Sequence, residues 1–443
     1  MSLESSTAAA GVAARELATW SGARRRDALH AAADALSAAA DRVLDAAVEE
    51  TGLTRQRLEG EMARTTGQLR LLGDFVADGR DRPVVRSAGA APGGGDIVAV
   101  RVPIGPVAVF AASNFPLAFG VLGGDTASAL AAGCPVVAKA HPAQPETARL
   151  IEEAVVPALG GPAGTFAVVH GGADVSLALV RAPEIRAVGF TGSAAGGRAL
   201  MDAAAARPDP IPVYAEMGAL NPVFVFPSAL DDERWPATLA AAVTGSAGQL
   251  CTKPGLVVVP AGEAGTAFAD KLAAEVAETP VFDRMLTPSM ASAHAAWRDR
   301  APGADGEATA PDGGAAPFAV RVDGAALDGE LLEEHFGPTV VIAQSTVAGY
   351  GELAARLEGS LTATVLAGDG DDDAVRALLP ALVDRAGRVI YNGVPTGVAV
   401  VDAMQHGGPW PAASGAFTSV GTASVERFLR TVALQNLPER LAP

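Results

Sequence analysis

The sequence predicts an α/β protein built on a doubly wound parallel sheet, with a second α/β unit and a small β hairpin. Three observations predict it. Between residues 107 and 192 short apolar runs alternate with helix-like segments, further apolar runs follow at 222–226 and 255–260, and the stretch RPVVRSAGAAPGGGDIVAVRVPIG breaks the helical pattern with a Gly-Pro-rich centre and alternating flanks. Alternating β and α segments give parallel strands, because each crossover helix returns the chain to the same end of the sheet.

The elements follow in order. Ala, Leu and Val recur at helical spacing through 24–50 and 54–76, so the first 80 residues read as helices. VAVF (107–110) reads as a buried strand, 116–132 as a helix, PVVAKA (135–140) as a strand and 146–159 as a helix. FAVVHG (166–171), a helix at 174–181 and RAVGFTG (186–192) complete the first unit. PVFVF (222–226) and GLVVVP (255–260) are strands of the second, joined by a helix expected to carry GSAGQLC, and a domain change is expected near 217–228. Residues 301–317 are of low complexity and read as a surface loop. No internal repeat is visible.

Composition narrows the function classes. A net charge of −17 disfavours nucleic acid and anionic membranes as partners. The 49% apolar content is enough for large cores, and with only 5% aromatics those cores must be aliphatic. Two cysteines, Cys134 and Cys251, make no disulfide framework, so a reducing compartment is the default. Six histidines are scattered at no metal-ligand spacing, so no metal is expected. Neither a signal peptide nor a membrane span of about 18 residues is seen, and the expected location is the cytoplasm.

Several residues could carry chemistry. Cys251 lies in GSAGQLCTKPG, where small residues crowd the approach and a thiolate would attack a carbonyl. On residue type alone a buried structural cysteine is the commoner reading, and Cys134 in AAGCPVV receives it. Glu216 in YAEMGALNP sits between an apolar run and a glycine turn, where a carboxylate serves as a base, although a surface acid is the commoner use. Asn114 in FAASNFPLAF offers an amide to an oxyanion, or simply caps a turn. Lys139 ends a strand at the end of the sheet where ligands bind. GFTGSAAGG (189–197) offers free N–H groups at a helix start to a phosphate, a weak signal by itself.

The ordered set SNFPL, AKAHP, GFTGS, EMGALNP, GQLCTKPG, EEHFGPT and NGVPTGV, spanning 113–397, resembles the aldehyde dehydrogenase superfamily. The segments SNFPLAFGVLGGDTASALAAGCPVVAKAHPA and HGGPWPA…TSVGT…FLR…QNLP resemble its NADP-preferring branch, which holds 2-oxoglutarate semialdehyde (2,5-dioxopentanoate) dehydrogenases and a bacterial fatty aldehyde dehydrogenase. The resemblance implies an aldehyde dehydrogenase-like fold: a doubly wound cofactor domain (1–84 and 105–220), an α/β catalytic domain (221–421) and a β oligomerisation arm (85–104 and 422–443). It implies oxidation of an aldehyde to a carboxylate through a thioester on Cys251. Asn114 and the Cys251 N–H would hold the oxyanion, and Glu216 would activate the hydrolytic water. Lys139 would bind the adenosine ribose, Gly192 and Ser193 the pyrophosphate, and Glu334 and Phe336 the nicotinamide ribose and ring. A homodimer or homotetramer is implied.

Cofactor choice has its own argument. NAD-preferring relatives read K-P-x-E after the ribose lysine, whereas this chain reads Lys139-Ala140-His141-Pro142. Pro142 removes a carboxylate that would repel a 2′-phosphate, and Lys139 with His141 would add attraction, so NADP is expected over NAD, with NAD still usable. Two departures, Ala416 for an arginine and Leu434 for an aromatic residue, are expected to alter the substrate mouth. Rival readings are an enzyme that passes the thioester to coenzyme A, disfavoured by Glu216, and a non-catalytic relative, disfavoured by the intact Cys251, Glu216 and Asn114 set.

Overall fold

A computed structural model describes residues 2–305 and 308–441. Four helices open the chain: α1 (Leu3–Leu17), α2 (Gly22–Ala38), α3 (Ala40–Thr51) and α4 (Arg55–Ala77). Side-chain caps start three of them, since Ser2, Ser21 and Thr54 accept the N–H groups of Ser5, Arg24 and Arg57. Strands β1 (Val85–Ser87) and β2 (Ile97–Pro103) then pair antiparallel around the expected Gly-Pro turn.

The first α/β unit runs β3 (Val107–Phe110), α5 (Gly124–Ala132), β4 (Val136–Lys139), α6 (Pro145–Ala158), β5 (Phe166–Val169), α7 (Ala173–Arg181), β6 (Ala187–Thr191), α8 (Ala194–Ala205) and β7 (Val213–Glu216). Its five strands lie in the order β5-β4-β3-β6-β7, all parallel. Alternate residues feed opposite cores. Val107, Val109, Val136 and Ala138 face α2, α4 and α6, while Ala108, Phe110 and Val137 face α7 and α8. Burial on both faces is why these strands read as continuous apolar runs.

The second unit comprises β8 (Val223–Val225), α9 (Arg234–Thr244), β9 (Leu256–Pro260), α10 (Glu263–Ala277), α11 (Pro288–Arg300), β10 (Ala304–Asp305), β11 (Phe318–Asp323), β12 (Thr339–Ser345), α12 (Tyr350–Arg356), β13 (Ser360–Leu366), α13 (Asp372–Arg385) and β14 (Ala386–Tyr391). Its sheet order is β10-β11-β12-β9-β8-β13-β14, with β10 alone antiparallel. Strand β15 (Leu429–Gln435) returns to pair antiparallel with β2, completing a three-stranded sheet in the order β1-β2-β15. No helix among the described residues is long and apolar enough to cross a membrane.

Three expectations are corrected. The helix expected at 116–132 begins only at Gly124, and 116–123 is a run of turns. A Cβ on Gly120 would lie 1.8 Å from the Pro116 carbonyl oxygen, and one on Gly123 would lie 2.5 Å from that of Ala118, so glycine permits a fold-back tighter than a helix. The helix before Cys251 stops at Thr244, because Ser246 (φ 56°) and Ala247 (φ 55°) turn left-handed. Within 301–317, residues 306 and 307 lie outside the described residues, and Ala304–Asp305 forms an edge strand on β11 rather than loop.

Candidate active site

The carboxyl ends of β3, β4, β6 and β7 open on one cavity of about 560 Å³, whose lining includes Phe110, Lys139, Thr191 and Glu216 from those ends. That is where a doubly wound sheet receives its ligand, since the crossover helices diverge there. All nine residues singled out from the sequence line it: Asn114, Lys139, His141, Gly192, Ser193, Glu216, Cys251, Glu334 and Phe336.

Cys251 stands in a turn just past the left-handed pair, so its side chain projects from a bend rather than along a helix. Its carbonyl is held at 2.8 Å by the Asn221 amide, which also bonds the Lys253 carbonyl and accepts from the Thr362 N–H on β13. Asn221 is itself left-handed (φ 52°) and buried. The Cys251 Sγ lies 3.9 Å from His406 Nε2, and the same nitrogen lies 3.0 Å from Glu216 Oε1. The Ser419 hydroxyl donates to Glu216 Oε2.

The electrostatics follow from burial. Burial, then the carboxylates of Glu216 and Glu334, push the Cys251 thiol far above its ordinary value, with Arg64 opposing them. The resting sulfur is therefore a thiol and needs a proton acceptor to become a nucleophile. Burial also pushes the Glu216 carboxyl up, but His406, the Ser419 hydroxyl and Arg427 outweigh it and hold the group below its ordinary value. Glu216 is thus ionised at neutral pH although only 1% of it is exposed.

Asn114 is placed by α4. Arg57 Nη2 donates to the Asn114 carbonyl at 2.5 Å, and Glu61 Oε2 accepts the N–H groups of Leu117 (3.2 Å) and Ala118 (3.4 Å). The Asn114 amide donates to the Gln249 carbonyl at 3.1 Å, which ties it to the turn that carries Cys251.

Away from the sulfur the cavity fits a dinucleotide. Ser193 caps α8 by accepting the Gly196 N–H, and Gly192, Ser193 and Gly196 bring the positive end of that helix to the wall. Thr191 adds a buried hydroxyl with no hydrogen-bond partner among the described residues. A Cβ on Gly218 would lie 1.7 Å from Glu334 Oε2, so only glycine admits that carboxylate at the wall. Burial raises Glu334 and lowers Lys253, and each offsets the other. Lys253 is further held by the Thr339 carbonyl at 2.7 Å.

Two expectations about side-chain roles change. His141 carries no positive charge near neutrality, because burial and then the Lys139 charge press it down to about 4. Its Nδ1 faces the Ala143 N–H at 3.2 Å, which assigns the proton to Nε2 and leaves a neutral donor rather than a cation. Ala416 is exposed in a surface hollow with Met201, Ala205 and Tyr214, and Leu434 sits on β15 opposite Val98, so neither borders the cavity. The 414–417 loop turns outward directly after Ala413 bridges to Glu216.

His406 and Ser419 were not singled out from the sequence. The histidines were read as scattered, yet His406 is brought to Cys251 and Glu216 so closely that the three ligand-type atoms lie within 4.8 Å of one another. A signal was present in the HGGPWPA segment. A Cβ on Gly407 would lie 2.4 Å from the Phe417 carbonyl oxygen and one on Gly408 2.4 Å from that of Ser360, so the glycine pair lets this segment pack tightly and deliver the imidazole.

Two α/β units that meet at a cysteine beside a dinucleotide-sized cleft define the class of fold, and solved structures share it. The aldehyde dehydrogenase KauB from Pseudomonas aeruginosa matches with a TM-score of 0.85 at 21% identity, covering 98% of this chain and 88% of that one. The NADP-dependent glyceraldehyde-3-phosphate dehydrogenase of Bacillus halodurans complexed with NADP matches at 0.84 and 20% identity, over 98% and 90%. The model of the aldehyde dehydrogenase family matches residues 2–300, and the chain belongs to that family. It is 43% identical to alpha-ketoglutaric semialdehyde dehydrogenase 2 of Azospirillum brasilense, over 94% of this chain and 83% of that protein. It is 41% identical to the alpha-ketoglutaric semialdehyde dehydrogenase of Acinetobacter baylyi, over 90% and 80%.

Proposed function

We propose that this aldehyde dehydrogenase oxidises a carboxylate-bearing semialdehyde, of which 2-oxoglutarate semialdehyde is the first candidate, through a thioester on Cys251. The observation that carries the chemistry is the contiguous set Cys251 Sγ, His406 Nε2 and Glu216 Oε1, at 3.9 and 3.0 Å. The names of the two relatives support the substrate class.

The sulfur bonds to the aldehyde carbon as its proton passes to His406 Nε2, which gives up the proton it already donates to Glu216 Oε1; the carboxyl so formed loses that proton to solvent before deacylation. The oxyanion is held by the Asn114 amide, which leaves the Gln249 carbonyl or shares its second N–H. Bound NAD(P) would supply the acceptor for the hydride that leaves that carbon. Lys139, Gly192, Ser193, Glu334 and Phe336 would hold it. Water then adds to the thioester as Glu216 takes its proton, the C–S bond breaks and the carboxylate departs. Because Glu216 is ionised, hydrolysis rather than transfer to coenzyme A is the favoured fate.

NADP is the favoured dinucleotide, supported by Pro142 and Lys139 on the cavity wall, while Asp174 at the start of α7 is an acid whose field reaches Lys139 and moderates the preference. We divide the chain as the sequence suggests, at 1–84 with 105–220, 221–421, and 85–104 with 422–443, and place it in the cytoplasm. β15 has no strand on its outer side among the described residues, an open edge suited to a homodimer or homotetramer. Reduced-nicotinamide formation with NADP and with NAD, across 2,5-dioxopentanoate, succinate semialdehyde, benzaldehyde and long-chain aldehydes, tests the reading. Preference for a long-chain or aromatic aldehyde overturns the substrate, and a higher kcat/KM with NAD overturns the cofactor.

A further inference from the structure

A substrate that carries a carboxylate meets an electrostatic obstacle here. The chain is acidic overall, and Glu216 and Glu334 both act on the Cys251 sulfur. A local cation must compensate, and it must have donors to spare.

Two buried guanidinium groups lie near enough to couple electrostatically to the Cys251 sulfur when it ionises, those of Arg64 on α4 and Arg388 on β14. They differ in how their donors are used. Arg388 gives Nη1 to the Gly397 carbonyl (2.9 Å) and Nη2 to that of Pro395 (2.6 Å). Arg64 gives only Nη1, to the Val398 carbonyl at 3.0 Å. Its Nε and Nη2 are buried and have no hydrogen-bond partner among the described residues. Those two nitrogens form the edge of a guanidinium that grips a carboxylate with two parallel bonds. Arg149 uses that edge in this chain, holding Glu146 through Nε at 2.8 Å and Nη2 at 2.7 Å.

The surroundings suit a short acidic aldehyde. Arg64 lies over the Phe119 ring, 5.6 Å from its centroid, and Phe119 lies 6.1 Å from the His406 ring. Phe119 belongs to an apolar cluster with Phe115, Val398 and Met404, which packs beside His406. The reacting carbon and the carboxylate carbon of a five-carbon semialdehyde are roughly 5 Å apart when extended.

We infer that Arg64 is the specificity-determining residue for an anionic aldehyde, its Nε–Nη2 edge receiving the substrate carboxylate while the aldehyde carbon faces Cys251. The inference rests on the semialdehyde reading and adds the recognising group. Receipt of the carboxylate needs Phe119 to move aside, since both nitrogens are covered and neither Arg64 nor Phe119 borders the cavity before substrate enters.

The test compares two aldehydes of equal length, succinate semialdehyde and butanal, in the wild type, Arg64→Met and Arg64→Lys. For Arg64→Met, kcat/KM for succinate semialdehyde falls by about 10²-fold, mostly through KM, while that for butanal stays within about threefold. Arg64→Lys is intermediate, and it carries the comparison if the methionine variant does not fold. An equal fall on both aldehydes assigns Arg64 to the thiolate or the fold and overturns the inference, as does an unchanged preference in the variants. A wild type that does not prefer the anion overturns the semialdehyde reading itself, so the two failures are distinct.

Discussion

The surroundings of the two cysteines are the most instructive contrast in the molecule. Cys134 and Cys251 are both thiols pushed up by burial, Cys134 to about 11 and Cys251 further still. Cys134 has no exposure, stands just before β4 and reaches the Phe428 carbonyl at 3.4 Å. Cys251 borders the cavity and faces an imidazole backed by an ionised carboxylate. A low resting pKa therefore does not separate nucleophile from packing residue. Access and a proton acceptor within reach separate them.

Exchanging the two sulfurs one at a time is the strongest way to break this contrast. Cys251→Ser is expected to lower aldehyde oxidation by more than about 10³-fold with the fold intact, measured by reduced-nicotinamide formation and circular dichroism. A variant that keeps a tenth of the activity would refute the assignment. Glu216→Gln should slow turnover by about 10³-fold yet still release one equivalent of reduced nicotinamide in a burst, because His406 Nε2, freed of the carboxylate, takes the thiol proton itself and deacylation alone is left without a base. Loss of the burst as well would show that acylation does not proceed without the carboxylate.

His406→Gln should cost about 10²-fold and delay labelling of Cys251 by iodoacetamide to higher pH. The sign follows from proton transfer: removal of the group that takes the thiol proton and passes it to Glu216 leaves the sulfur to ionise unaided, which raises the pH at which thiolate appears. A labelling profile identical to wild type would leave Cys251 activated by something else. Cys134→Ser sharpens the contrast from the other side. A hydroxyl in that site should cost about 1–3 kcal/mol of stability by chemical denaturation, with activity per folded molecule unchanged.

The smallest effect concerns Glu61, which braces the Asn114 segment. Burial raises its carboxyl to about 7 from an unfolded value near 4.5, with Arg57 opposing. The folded form therefore holds its proton more tightly, and the associated stability is full below the unfolded value and lost as pH rises through about 7. Tm of the wild type relative to Glu61→Gln should fall by a few degrees between pH 5 and pH 8. A constant difference would show that Glu61 does not titrate in that window.

Local pattern determined much of this protein. Short continuous apolar runs placed β3, β4, β5 and β6, because strands buried on both faces admit little else, and the glycine-rich turn placed the β1–β2 hairpin. Cys251, Glu216, Asn114 and Lys139 were legible because each lies at a strand end or turn, where short-range sequence marks a change of direction. Tertiary structure alone decided the rest. His406 and Ser419 reach Glu216 across 190 and 203 positions of sequence, through the packing of the 404–421 segment beside β7. Arg64 was not singled out from the sequence, and its unspent donors follow from the packing of α4 against the loop at Val398. Periodicity reports which face of an element is buried, whereas a proton acceptor is defined by what lies within a few ångströms, and distant segments set that distance.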